Sequence, residues 1–205
     1  MASNMTQDTV ERVVAFHGHL CPGLMTGVRA AEIALREIGA HAQDEEVIAV
    51  VETVNCAVDA IQVLVGCTYG KGNLFHLDYG KNAFTFARRS DGKAIRVASR
   101  PRPSRSLDPE QEALVQRARS GEATEAEQRA YQALWRERAL GVLALDESEL
   151  FVVQGLNDFA LPPPAEIHPS VVCAACGEMV MSSRIQRLGE LELCLPCYWA
   201  RRGEA

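Results

Sequence analysis

The chain has 205 residues, 47% of them hydrophobic, and a formal net charge of −6. That length supports one sizeable core plus a small appendage. The acidic balance excludes a large basic nucleic-acid surface, and no stretch reaches the roughly 18 apolar residues of a membrane helix.

The N-terminal Met-Ala-Ser-Asn-Met-Thr-Gln-Asp has no positive segment and no apolar run, so no secretory signal is expected. Seven cysteines, an odd number, then point to reduced thiols and a cytoplasmic location.

Thr9–Ala15 has the pattern of a helix. It leads into Phe16-His17-Gly18-His19-Leu20-Cys21-Pro22-Gly23. In an extended segment, residues i, i+2 and i+4 share one face, so His17, His19 and Cys21 are expected to point the same way. Imidazole and thiolate together suit zinc, nickel, copper or iron rather than calcium or magnesium. Pro22 fits the first turn of a second helix, where its missing N–H is harmless. Cys21 then sits at a helix N-terminus, which stabilises a thiolate, so it is a candidate nucleophile as well as a candidate ligand. Leu24, Val28, Ala31, Leu35 and Ile38 repeat at helical spacing, and Gly39 ends that helix.

Glu46–Thr53 is short, apolar and β-branched, as in a buried strand. Cys56 follows just before a short helix over Ala57–Val65, and reads equally as a buried apolar residue or a ligand. Asp59, one turn on, suits orienting a ligand, acting as a base, or simply the first turn of a helix. Gly66-Cys67-Thr68-Tyr69-Gly70-Lys71-Gly72-Asn73 is a glycine-rich loop. Its N–H groups at Gly70, Gly72 and Asn73, with Lys71 as the charge, form a candidate anion or cofactor cradle; a tight turn with a solvated lysine is the alternative. Cys67 lies one helix length, about 15 Å, from Cys56, so the two share an ion only if a second copy of the chain brings them close. Leu74–Asp78, Ala83–Arg89 and Ala94–Ser99 read as strands, with Asp91-Gly92 as a hairpin turn.

Residues 100–108 form a basic, proline-broken linker. A helix over Asp108–Arg119 follows, and then another opened by the Thr124/Glu127 capping box, to about Leu140. Leu150–Gln154 reads as one more strand. The mixture predicts an α+β fold, a mixed sheet with flanking helices over residues 1–160. Pro162-Pro163-Pro164 stiffens a linker over 161–170.

Residues 171–205 carry Cys173-Ala-Ala-Cys176 and Cys194-Leu-Pro-Cys197, seventeen residues apart. Two such knuckles supply four thiolates for a tetrahedral zinc in a small zinc-ribbon or treble-clef-like finger. The set leaves no open position, so this zinc is expected to be structural. A paired redox-motif reading is the weaker alternative.

Two resemblances follow from these motifs. Cys173–Glu178, Arg184 and Cys194–Cys197 resemble the zinc fingers of DnaK-suppressor and conjugal-regulator proteins, without the long coiled coil those carry. Residues 16–23, Asn-Cys-Ala-Val-Asp-Ala-Ile-Gln at 55–62, Gly-Cys-Thr-Tyr-Gly-Lys-Gly-Asn-Leu at 66–74, and Asp78-Tyr79-Gly80-Lys81 resemble the FmdE family of formylmethanofuran dehydrogenase proteins over about residues 10–155. The resemblance implies an α+β core that dimerises, association with a molybdenum or tungsten oxidoreductase, and one cavity lined by His17, His19, Cys21, Cys56 and Cys67. Asp59 and Lys71 would lie nearby.

Three functions are in view. The leading one is a metal-binding accessory protein with a transition metal or metal cofactor in the core. The second is an enzyme using a thiolate at Cys21 or Cys56, or an open metal centre, with Asp59 and Lys71 as helpers. The third, a zinc-finger regulator using Arg184, Arg187, Arg201 and Arg202, is opposed by the acidic balance and the lack of interleaved aromatic residues.

Overall fold

The computed structural model describes residues 3–101 and 107–203. Most of the basic linker expected over 100–108 lies outside the described residues. The chain forms two compact units, one ending at Pro164 and one beginning at Ala165.

The first unit runs α1 (Gln7–His17), α2 (Pro22–Glu37), β1 (Val47–Val51), α3 (Cys56–Val65), β2 (Leu74–His76), β3 (Ala83–Arg88), β4 (Ala94–Ser99), α4 (Pro109–Ser120), α5 (Glu125–Ala144), α6 (Glu147–Leu150) and β5 (Phe151–Leu156). Its five strands form one mixed sheet in the order β2-β1-β3-β4-β5. β1 and β2 are parallel and are joined through α3; the other neighbours are antiparallel. This is the α+β architecture the sequence predicts.

Strand alternation divides the core between two faces. Val47, Ala49 and Val51 of β1, with Phe84 and Phe86 of β3, pack with Leu24 and Val28 of α2, Ile61 of α3 and Val142 of α5. Burying a side chain of this size stabilises by about 1.5–3 kcal/mol. On the other face Ile48, Ala87 and Ala94 meet Phe75, Leu156, Phe159 and Leu161. Both faces of β1 are therefore covered, and all five of its residues are buried. The helices α2 and α3 approach very closely. A Cβ at Gly27 would lie 2.3 Å from the carbonyl oxygen of Ala57.

Several boundaries differ from the sequence expectation for local reasons. α1 is longer at both ends, because the Thr6 side chain caps it by accepting from Thr9 N–H and Gly18 closes it. β2 ends at His76 rather than Asp78. α6, not expected, is nucleated by a capping box between Asp146 and Glu149. The proline run is fastened to the first unit: Leu161 packs on the sheet, and Arg89 donates to the carbonyls of Pro162 at 2.7 Å and Pro163 at 3.3 Å.

The second unit has β6 (Ser170–Val172) paired with β7 (Met179–Met181), a 3-10 turn (Ser182–Arg184), β8 (Ile185–Leu188) paired with β9 (Leu191–Cys194), and α7 (Leu195–Arg202). Two hairpins and a terminal helix around four cysteines make it a small treble-clef-like finger.

Candidate metal centre

His17 is the last residue of α1, and Gly18 follows at φ 94°. That left-handed conformation suits a residue without Cβ, and it reverses the chain beyond the helix. His19 thereby comes beside His17, with ring centroids 4.4 Å apart. Cys21 then caps α2, its sulfur accepting from Leu24 N–H at 3.3 Å. The three side chains do converge, but not through strand-like alternation. A helix end, a left-handed glycine and a helix start bring them together.

α3 supplies the remaining groups. Asn55 caps it by accepting from Ala57 N–H at 2.9 Å. That cap sets Cys56 as the first helical residue, with Asp59 one turn later. The Asp59 carboxylate lies 2.7 Å from His17 Nδ1 and accepts the ring proton there, while Gln62 steadies its other oxygen at 3.3 Å. This leaves the lone pair of His17 on Nε2, which lies 4.0 Å from Cys21 Sγ. A carboxylate behind a ligating histidine is the usual way of fixing its tautomer and ring orientation.

One ligand atom from each of His17, His19, Cys21 and Cys56 lies within 4.8 Å of all the others. Bonds of about 2.0–2.3 Å to a tetrahedral ion place its ligands roughly 3.3–3.8 Å apart, so a small contraction would close the set. Two imidazoles and two thiolates fit a borderline-soft transition metal. Burial first, then the neighbouring Cys21, pushes the Cys56 thiol above its ordinary range. A cation between them would reverse that preference. Gly23 leaves the sulfurs room: a Cβ there would lie 3.4 Å from Cys56 Cβ and 3.9 Å from Cys21 Sγ.

Cys67 does not join this cluster. Its thiol is fully buried, donates to the Val47 carbonyl at 3.3 Å, and is pushed by burial up to about 12. Since the single chain already encloses it, a second copy has no access to that sulfur. The expected cradle is likewise a structural knot. Asn73 is fully buried; it accepts from Thr68 N–H at 2.9 Å and donates to Val47 O at 2.9 Å. The N–H groups of Lys71 and Gly72 bond to Thr68 and Tyr69 within the turn. Lys71 Nζ donates to Ala42 O at 2.8 Å and Asp44 O at 3.4 Å rather than standing free for an anion. Gly70 and Gly72 belong to that turn, and Gly72 takes φ 76°.

The second cluster is Cys173, Cys176, Cys194 and Cys197, again with sulfurs within 4.8 Å of one another. Gly177, at φ 77°, closes the first knuckle, its N–H bonding to Cys173 O at 3.0 Å. Backbone N–H groups of Cys176, Cys194 and Ala175 hold the Cys173 thiol down, at about 6. The neighbouring Cys194, then burial, pushes Cys197 up to about 12. Four crowded sulfurs ionise together only around a cation.

A cavity of about 660 Å³ opens beside the first cluster. His19, Cys21 and Pro22 line one side; Arg129, Tyr131, Trp135 and Arg136 of α5 are among the residues lining the rest. Sequence reasoning found only the caps of α5. The signal available was the i, i+3, i+7 series Arg129, Gln132, Arg136, which places long polar side chains on one helical face.

Three comparisons bear on this geometry. A family model described as "FmdE, Molybdenum formylmethanofuran dehydrogenase operon" matches residues 16–152. A probable S-adenosyl-L-methionine-binding protein of Archaeoglobus fulgidus is 33% identical over 200 residues, covering 91% of this chain and 51% of its own length. The chain thus spans about half of that relative. An FmdE-like protein of tungsten formylmethanofuran dehydrogenase from Syntrophus aciditrophicus shares the fold, with TM-score 0.61 and 24% identity over 98% of this chain and 97% of that one. The matched region contains both helix starts and the histidine pair of the first cluster, and on that span the chain belongs to the FmdE family.

Proposed function

We propose that this chain binds two metal ions. A transition metal lies in the core, held by His17, His19, Cys21 and Cys56, and a structural zinc lies in the finger, held by Cys173, Cys176, Cys194 and Cys197. The observation that carries the core site is the convergence of four soft or borderline donors within 4.8 Å, backed by the Asp59 bond to His17. When bound, the core ion would supply a Lewis-acid centre beside the cavity.

Metal analysis of the purified full chain tests this. About two equivalents per chain are expected, falling to one in His17→Ala/His19→Ala and to one in Cys173→Ser/Cys176→Ser. A single equivalent lost only with the finger cysteines would contradict the core site.

An accessory role to a molybdenum or tungsten oxidoreductase belongs to the same proposal, and the family description supports it. A homodimer is supported by the β5 edge, where Val152 and Val153 remain 41% and 39% exposed. Light scattering of the purified chain should read twice its mass.

A second reading, an enzyme built on an open metal centre, is favoured by the cavity that reaches His19 and Cys21. The thiolate-nucleophile version loses support at Cys56, whose thiol burial holds in the neutral form.

A further inference from the structure

We propose that the cavity beside the core cluster binds an organic anion with a flat aromatic body. Its anionic group would lie against Arg129 and Arg136, and its far end would face His19 and Cys21. For what that far end meets, the inference rests on the core cluster holding a metal.

Size, charge and surface chemistry each point this way. About 660 Å³ falls within the roughly 300–1,000 Å³ range of small-molecule sites. The chain carries a net charge of −6, yet no acidic side chain lines this cavity and two arginines do. Arg136 has no ion-pair partner among the described residues, and Arg129 has only an exposed contact with Glu125 at 3.8 Å. Two guanidinium groups with little internal engagement suit a carboxylate or phosphate through paired N–H donors.

The aromatic preference comes from Tyr131 and Trp135. Their rings meet edge to face at 6.1 Å, giving the cavity a stiff apolar wall. Trp135 adds a donor. Its indole Nε1–H is buried and has no acceptor among the described residues. Buried N–H groups are rarely left so, and a ligand oxygen would satisfy this one. Gln132 is a further polar lining group able to donate or accept. Cys21 and His19, on the opposite wall, belong to the metal cluster. A molecule anchored by its anion on α5 would therefore present its other end to the ion.

The experiment uses the ¹⁵N-labelled, metal-loaded full chain. It has two tryptophans, and Trp199→Phe assigns the Trp135 indole signal. The probes are 2-naphthoate and 2-naphthyl phosphate, each paired with a neutral twin, 2-naphthamide and 2-naphthol. At least one anion is expected to shift the Trp135 indole signal and to bind about tenfold more tightly than its twin. Arg136→Gln should remove about that tenfold, with metal content unchanged. Comparing the carboxylate and phosphate arms identifies the anionic group. Equal affinity for charged and neutral probes, movement of the Trp199 signal alone, or no movement at all would overturn the inference. Metal content of the same samples separates the two ideas. Metal present without anion binding refutes this inference alone. Anion binding in a chain whose core holds no metal upholds it and refutes the metal reading.

Discussion

At the scale of single residues, Asp59 decides how well His17 serves a metal. Its carboxylate takes the Nδ1 proton and so keeps Nε2 free for the ion. Asp59→Asn preserves shape and weakens the charge-assisted bond. The core metal should then bind about 10–100-fold more weakly, read by competition with a coloured chelator, while the finger metal is unaffected. Equal loss at both sites would instead mean general unfolding.

Cys67 makes the opposite prediction, of chemical inertness. Burial lifts its thiol from the ordinary 9.0 to about 12. The folded chain therefore keeps a proton that the unfolded chain gives up, and the associated stability is complete below about pH 9 and lost as pH rises toward 12. Alkaline denaturation should show this limb, and Cys67→Ala should flatten it. In the native chain at pH 8, Cys67 should resist iodoacetamide, and labelling as fast as that of exposed Cys176 would contradict its burial.

At the scale of elements, the site depends on where α2 and α3 meet. Gly27 lets the two helices touch, and a methyl group there would strike the Ala57 backbone next to Cys56. Gly27→Ala should cost about 1–3 kcal/mol in urea denaturation and also weaken the core metal by moving α3. A stability loss with metal affinity unchanged would show that the helix contact does not set the site.

How much of this was legible follows from the range of the interactions. His17, His19 and Cys21 stand out because ligand-type side chains crowd one short segment. The helix caps at Thr124 and Asp108 are equally local, and both capping boxes form as expected. The mode of convergence was hidden, because Thr6 and Gly18 extend α1 through His17. The Gly66–Asn73 loop looked like an anion cradle because only its own residues were in view. Its bonds run to Ala42, Asp44 and Val47, which are 20 or more residues away and reach it only through the fold. Trp135 and Arg136 were invisible for the same reason, since tertiary packing alone sets α5 beside the histidines.

At the scale of the whole molecule, the two units should respond differently to metal removal. The first has an extensive core on both faces of its sheet. In the finger, Cys173, Leu193 and Cys194 are the fully packed residues among those described, so a metal must supply most of its folding energy. A strong chelator should abolish hydrogen-exchange protection over 170–202 and leave β1, β3 and β4 protected. Loss of protection in both units together would contradict the division. Among the described residues no helix is long and apolar enough to cross a membrane.

X-ray absorption at the metal edge, on the chain carrying Cys173→Ser, Cys176→Ser, Cys194→Ser and Cys197→Ser, tests the core site most directly. With the finger site removed, the remaining ion should show two sulfur and two nitrogen neighbours, at about 2.3 Å and 2.0–2.1 Å if it is zinc. A chain that retains no metal, or an ion with only oxygen and nitrogen neighbours, would contradict a centre built from His17, His19, Cys21 and Cys56.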